Sequence, residues 1–191
     1  MLEYLHMHEI IPAILPKSEK ELEEAIAALP PEITFIHLDV LEDDIYIPFP
    51  QDFEVHLMVE EPEKIMQRWI DRGAKRLSVH TVGASLAQYR DKAEIGLAVD
   101  LDKPLDQVIP FVDFVDFIHL MSIEEIGAQG HPLDERIFAR IAEIQKQFPS
   151  VPISVDGGVN KNNYQKLLEL GADRLIVGSG FKELWTSLKQ E

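Results

Sequence analysis

The chain of 191 residues has no cysteine. That absence removes disulfides, thiolate metal sites and a cysteine nucleophile at once. Long apolar runs are missing too, and no stretch approaches the roughly 20 residues that span a bilayer. The opening MLEYLHMHEIIPAIL lacks the basic start and the long apolar run of a secretory signal. The expectation is a cytoplasmic protein with no membrane partner. Positive charge is scarce: 18 lysines and arginines stand against 34 aspartates and glutamates, a formal net charge of −16. That balance argues against a nucleic-acid backbone as partner. It leaves room for a small anion, because the local field in a cleft can oppose the global charge. Apolar residues, by contrast, make up 46% of the chain, enough for a sizeable core in a single domain over residues 1–191.

Eight strand-like runs recur along the chain: HEIIPAIL, ITFIHLDV, FEVHLMV, KRLSVH, EIGLAVD, FVDFIHLM, VPISVDGG and DRLIVG. Helical patterns lie between most of them. Ser18 with Glu21 forms a capping box ahead of Leu22, Ala25, Ile26 and Leu29. Pro62 suits a first helical turn before Ile65, Met66, Trp69 and Ile70, and Gly73 closes that stripe. Asp134 precedes Ile137, Ile141 and Ile144; Asn160 precedes Tyr164, Leu167 and Leu168. RGAKRLSVH and LGADRLIVG repeat a helix end, a Gly-Ala turn and a strand. Repeated βα units with eight strands predict a TIM (β/α)8 barrel. A doubly wound open sheet is the alternative, although eight strands are many for so short a chain. One unit is abnormal: LEDDIYIPFPQD, with two prolines and no helical period, predicts a loop without a full helix after the second strand. That economy helps fit the barrel into fewer than the typical about 250 residues.

Several strands carry polar residues where a core face is expected. Residues two apart in a strand share a face. In FIHLDV, His37 and Asp39 therefore point together, opposite Ile36, Leu38 and Val40. His56 pairs with Met58 in this way, Ser78 with His80, His119 with Met121, and Ser154 with Asp156. A lone buried histidine is commonly a hydrogen-bonded core residue. Histidines and aspartates at one level on several strands ask for another account, because buried charges are costly unless paired or bound to a cation. His37, Asp39, His56 and Asp156 offer an N2O2 set suited to one divalent Zn, Fe, Mn or Co ion, with nothing to choose among them. Glycines form a second constellation. Gly157 and Gly158 end the seventh strand, and Gly178, Ser179 and Gly180 end the eighth. The loops after those strands are the usual phosphate site of such barrels.

The segments IIPAIL, IHLDV, VHLMVEEPEKIM, LMS, ISVDGGVNKNNYQKLLELGAD and LIVGSGF, in this order over about residues 10–181, resemble ribulose-phosphate 3-epimerase. The resemblance implies a β/α barrel that interconverts ribulose 5-phosphate and xylulose 5-phosphate with a divalent metal. It implies His37, Asp39, His56 and Asp156 as ligands, with Asp39 and Asp156 as the acid/base pair. Met58 and Met121 match methionines that cap the reacting enediolate. Gly157, Gly158, Gly178 and Ser179 match the phosphate loops, and Gly127 and Gln129 the sixth loop. Inversion beside a carbonyl needs a proton removed on one face and one returned on the other, hence two acid/base groups.

Departures stand beside these matches. Ala13 replaces a serine, and Leu41 replaces a third capping methionine. LEDDIYIP replaces the pattern MDGxFVPN. The sixth loop reads EEIGAQG where the family has NPGFGGQ, one residue shorter, and brings Glu124 and Glu125 toward the expected phosphate. These changes leave open another ketose phosphate, such as a hexulose 6-phosphate, or a sugar-phosphate- and metal-binding barrel without turnover. A homo-oligomer is also left open. Other chemistries on this fold lack their residues: no lysine sits at an inward strand end for a Schiff base, no cysteine serves a phosphoribosylanthranilate isomerase, and no Asp-x-Lys-x-x-Asp serves a decarboxylase.

Overall fold

The computed structural model describes residues 9–80, 86–124 and 127–190. Its strands are β1 (Glu9–Ile14), β2 (Phe35–Val40), β3 (Asp52–Leu57), β4 (Arg76–Val79), β5 (Glu94–Val99), β6 (Phe117–Met121), β7 (Ile153–Asp156) and β8 (Arg174–Val177). They pair in parallel in sequence order, and β8 returns to pair with β1, so the sheet closes into a barrel. That closure excludes the open sheet. Each strand lies in the run read from the sequence or one residue beyond it.

The helices are α1 (Glu19–Ala27), α2 (Glu63–Asp71), α3 (Arg136–Gln147), α4 (Tyr164–Glu169) and α5 (Phe181–Leu188). Ser18 caps α1 by accepting from the Glu21 N–H at 3.2 Å. The Glu21 carboxylate accepts from Lys17 N–H at 3.0 Å, one residue before the cap that a capping box would use. Leu22, Met66, Trp69, Ile137, Ile141 and Ile144 turn fully inward onto the strands. Among the described residues, the connections after β4 and β5 hold only 3-10 turns, at Leu86–Tyr89, Leu105–Gln107 and Ile109–Phe114. No described helix is long and apolar enough to cross a membrane.

The connection from β2 to β3 has no helix, as its prolines predict. Aromatic packing covers the wall there instead. Tyr46 meets Trp69 edge-on at 5.7 Å, and Phe49 meets Phe53 at 5.0 Å. The Arg72 guanidinium lies over both Tyr46 and Trp69, at 4.5 and 4.6 Å from the ring centres, and with Arg68 it holds Asp44. Such ring and cation contacts come with large apolar areas.

Strand alternation sorts the residues between wall and lumen. Ile36, Leu38 and Val40 join the core between sheet and helices. His37 approaches Asp156 of β7, a strand that does not neighbour β2, and only the lumen allows that contact. At the end where the strands begin, Phe117 fills the lumen across from Gly96, where a Cβ would stand 2.3 Å from the ring. Around it Arg76 pairs with Glu9 at 2.7 Å and Glu54 at 3.2 Å, and Arg174 pairs with Glu94 at 2.8 Å. Arg76 and Arg174 are equivalent positions of the internal repeat. Gly73 and Gly171, also equivalent, have φ of 102° and 104°, the left-handed turn that glycine permits after a helix.

Candidate active site

Where the strands end, register brings the predicted side chains together. His37 lies level with Glu54 of β3, and Asp39 level with His56. His37 Nδ1 is 2.8 Å from Glu54 Oε1, and His56 Nε2 is 2.9 Å from His80 Nε2. His80 Nδ1 in turn lies 3.3 Å from Asp100 Oδ1. The opposite ring nitrogens, His37 Nε2 and His56 Nδ1, are buried and have no hydrogen-bond partner. Both face the same two oxygens. His37 Nε2 is 3.4 Å from Asp39 Oδ1 and 3.8 Å from Asp156 Oδ2. His56 Nδ1 is 3.6 Å from Asp39 Oδ1 and 3.7 Å from Asp156 Oδ2. His119 of β6 joins this floor with its Nε2 3.1 Å from Asp156 Oδ2.

The electrostatics follow from burial and proximity. Burial opposes charge on His37, yet Asp39 and Glu54 outweigh it and hold the imidazole well above its usual range. Burial also opposes charge on His56, and Asp156 and Asp39 likewise raise it. Burial pushes Asp39 up, but His37 and His56 pull it below the usual carboxylate value. Burial acts the same way on Asp156, against His119 and His56, and it too ends lowered. His119 differs: burial dominates and takes it down to about 4.

Two buried nitrogens without partners, aimed at two carboxylate oxygens, suit a cation. Ligands bound tetrahedrally at about 2.0–2.1 Å stand about 3.4 Å apart, close to the four separations seen here. A group of His37, His56, His119 and Asp156, with donor atoms all within 4.8 Å of one another, could hold a metal ion. Glu54 on His37 and His80 on His56 are the outer partners that orient metal-binding imidazoles.

Asp39 and Asp156 reach up from this floor into a cleft. Met58, Met121, Gly127 and Gln129 line it. So do Gly157, Gly158, Gly178 and Ser179 at the ends of β7 and β8, and Ala13 at the end of β1. The three glycines have a reason the sequence did not reveal. A Cβ on Gly157 would meet Ile123, one on Gly158 the backbone of Leu133, and one on Gly178 the Gln129 carboxamide. The sixth loop is thus keyed onto the seventh and eighth. Gln129 Nε2 also donates to the Ala13 carbonyl at 3.2 Å. Glu124 turns to Arg136 at 2.9 Å and borders a separate depression with His131 and Asp134. Glu125 lies outside the described residues.

Sequence reading passed over Glu54, Asp100 and His131. Glu54 could have been found, since it alternates on one face with His56 and Met58. His131 lines the cleft from a loop, where no periodicity marks it.

The comparisons with known proteins agree with this geometry. Residues 49–182 match the model of the ribulose-phosphate 3-epimerase family. The ribulose-phosphate 3-epimerase of Aquifex aeolicus is 29% identical over 66% of this chain and 61% of its own length. That of Schizosaccharomyces pombe is 25% identical over 66% of this chain and 58% of its own. The chain thus spans about three fifths of these relatives. The Synechocystis enzyme is 27% identical over 89% of this chain and 85% of its own length. Among solved structures, a tryptophan synthase α-subunit from Campylobacter jejuni covers 93% of this chain with a TM-score of 0.63 at 15% identity, a likeness of fold alone. The match runs from the β2–β3 loop through His56, Met58, Asp156 and both glycine loops, more than half of the chain: the chain belongs to the ribulose-phosphate 3-epimerase family.

Proposed function

We propose that this chain epimerises a ketose phosphate, ribulose 5-phosphate to xylulose 5-phosphate, at C3 with one divalent metal ion. The observation that carries the reading is the pair of orphaned nitrogens, His37 Nε2 and His56 Nδ1, each facing Asp39 Oδ1 and Asp156 Oδ2. In this reading those four side chains hold the ion. When bound, it supplies positive charge that stabilises the oxygens of an enediolate. Each carboxylate gives one oxygen to the nitrogens and has side-chain surface, 11% and 12% exposed, in the cleft. One carboxylate takes the C3 proton, and the electron pair moves to the carbonyl oxygen. The other, carrying a proton, delivers it to the opposite face of C3. Met58 and Met121 keep water from the planar intermediate. The loops at Gly157–Gly158 and Gly178–Ser179 take the phosphate through backbone N–H groups.

The test is metal analysis of purified protein together with turnover of ribulose 5-phosphate and of hexulose 6-phosphates in D2O. The expected result is one ion per chain, conversion to xylulose 5-phosphate, and solvent deuterium at C3. Metal-loaded protein that exchanges no carbon-bound proton of any of these sugars would end the epimerase reading. Preference for a hexulose phosphate would keep the chemistry and change the substrate.

A further inference from the structure

His119 takes no part in the chemistry so far, and the resemblance gives it no role. It is 1% exposed at the floor of the cleft. Its ring stacks on His37 with centres 5.5 Å apart and 18° between planes, and it tilts against His56 at 4.6 Å. Its Nε2 stands 3.1 Å from Asp156 Oδ2, the oxygen that also faces His37 and His56. It could be a further ligand or a hydrogen-bond donor. Partnership separates the two. His37 Nε2 and His56 Nδ1 are buried with no hydrogen-bond partner, whereas His119 Nε2 already has a carboxylate at hydrogen-bond distance. Between a nitrogen and a carboxylate oxygen only the nitrogen can bring the proton.

We propose that His119 is a positioning residue: its Nε2–H donates to Asp156 Oδ2, holds that oxygen toward the ligand nitrogens, and so leaves Oδ1 for the substrate. The inference rests on Asp156 serving as ligand and base, as proposed above. It makes the two carboxylates unequal. Among the described residues, the side chains within ion-pair distance of Asp39 are His37 and His56, both in the proposed ligand set, so no separate donor locks its rotation. Asp156 is clamped; Asp39 is held only by its neighbours in the ligand set.

Three variants separate donor, ligand and filler. In His119→Gln the amide N–H falls near the original Nε2. In His119→Asn it falls near Nδ1 instead. His119→Leu has neither. Each is titrated with Co2+, which reports its coordination by visible absorption, and each is assayed for kcat and KM with the metal loaded. The expectation is one Co2+ per chain with the parent's band pattern in all three. Loss of this outer partner should cost His119→Leu and His119→Asn about 10- to 100-fold in kcat with little change in KM, and His119→Gln should recover most of it. A changed cobalt spectrum or lost stoichiometry in His119→Leu and His119→Gln alike would make His119 a ligand and overturn the proposal. Equal rates for His119→Gln and His119→Asn would overturn it too, because position of the N–H would then be immaterial. If His119→Leu does not fold, the two amide variants still decide. Should the unaltered protein bind Co2+ yet exchange no substrate proton, the epimerase reading fails. The positioning role then stands or falls on the Asp156→Asn pair: cobalt affinity should drop on His119→Leu in the parent and not in Asp156→Asn.

Discussion

The two ends of the barrel lumen both bury charge, and they treat it differently. Where the strands begin, Arg76 and Arg174 stand among Glu9, Glu54 and Glu94 in short ion pairs, and only Arg174 Nη1 lacks a partner. Where the strands end, His37, His56, Asp39 and Asp156 stand 3.4–3.8 Å apart with two ring nitrogens unbonded. Buried charge is tolerated when it is paired, and the first end meets that condition from within the chain. The second meets it only with something added. Glu54 belongs to both ends: one oxygen takes Arg76, the other His37.

Stripping the metal should have the largest effect, because it attacks the end that depends on an addition. Chelation is expected to bring epimerisation to background, with return on adding one equivalent of Zn2+, Mn2+, Fe2+ or Co2+, and His56→Ala should lower metal content and rate together. Activity that survives exhaustive chelation would erase the contrast between the ends. Next come Asp39→Asn and Asp156→Asn, each expected to cost at least about 10²-fold in kcat when the protein is metal-replete. Near-normal turnover by a metal-replete Asp156→Asn would remove the two-base assignment.

Glu54 and Glu94 sharpen the comparison. Glu54→Gln should weaken metal binding about 10- to 100-fold through His37. It should also destabilise the fold by about 1–3 kcal/mol, since His37 and Arg76 lose a charged partner while Arg76 keeps Glu9. Glu94, half exposed, should cost less than about 1 kcal/mol on change to Gln, with metal affinity unmoved. Denaturant midpoints and cobalt titrations of both read this directly.

The smallest effect is on pH. In metal-free protein His37 and His56 are raised above their ordinary 6.5, so they bind more protons folded than unfolded. Their stabilisation is complete below about pH 6.5 and is lost as pH rises through the raised values. His119 and the two aspartates are shifted downward and do not act in that window. Thermal midpoints from pH 6.5 to 9 should therefore fall for chelated protein and stay level for metal-loaded protein. A level profile in both would mean that the imidazoles are not held charged.

Much of this was legible in the sequence because it depends on period two. Alternation alone put His37 with Asp39, His56 with Met58, and Ser154 with Asp156 on inward faces, and prolines marked the missing helix after β2. What alternation cannot give is the partner on the neighbouring strand. His119 was read as inward, yet its contact with Asp156 depends on the stagger between β6 and β7. Glu54 drew no reading of its own, and register sets it beside His37. The sequence assigns the glycines to a phosphate site; the structure places Gly157, Gly158 and Gly178 at the cleft, where their missing Cβ atoms also admit Ile123, Leu133 and Gln129 of the sixth loop.

The arginine pair has a consequence for how the molecule assembles. Arg76 sits on β4 and reaches Glu9 on β1, 67 residues away; Arg174 sits on β8 and reaches Glu94 on β5, 80 residues away. These two contacts each tie the outer strands of one four-stranded half together, but the same arginines also reach the other half, Arg76 to Glu94 at 3.4 Å and Arg174 to Glu9 at 3.9 Å, and those two pairs cannot form while the halves are still apart. Loops of that length are slow to close. The two pairs that join the halves, Arg76–Glu94 and Arg174–Glu9, therefore belong to the last step of folding, the zipping of the ring, and act as its latch. Loss of Glu9 or Glu94 should speed unfolding while leaving the folding rate nearly as it was.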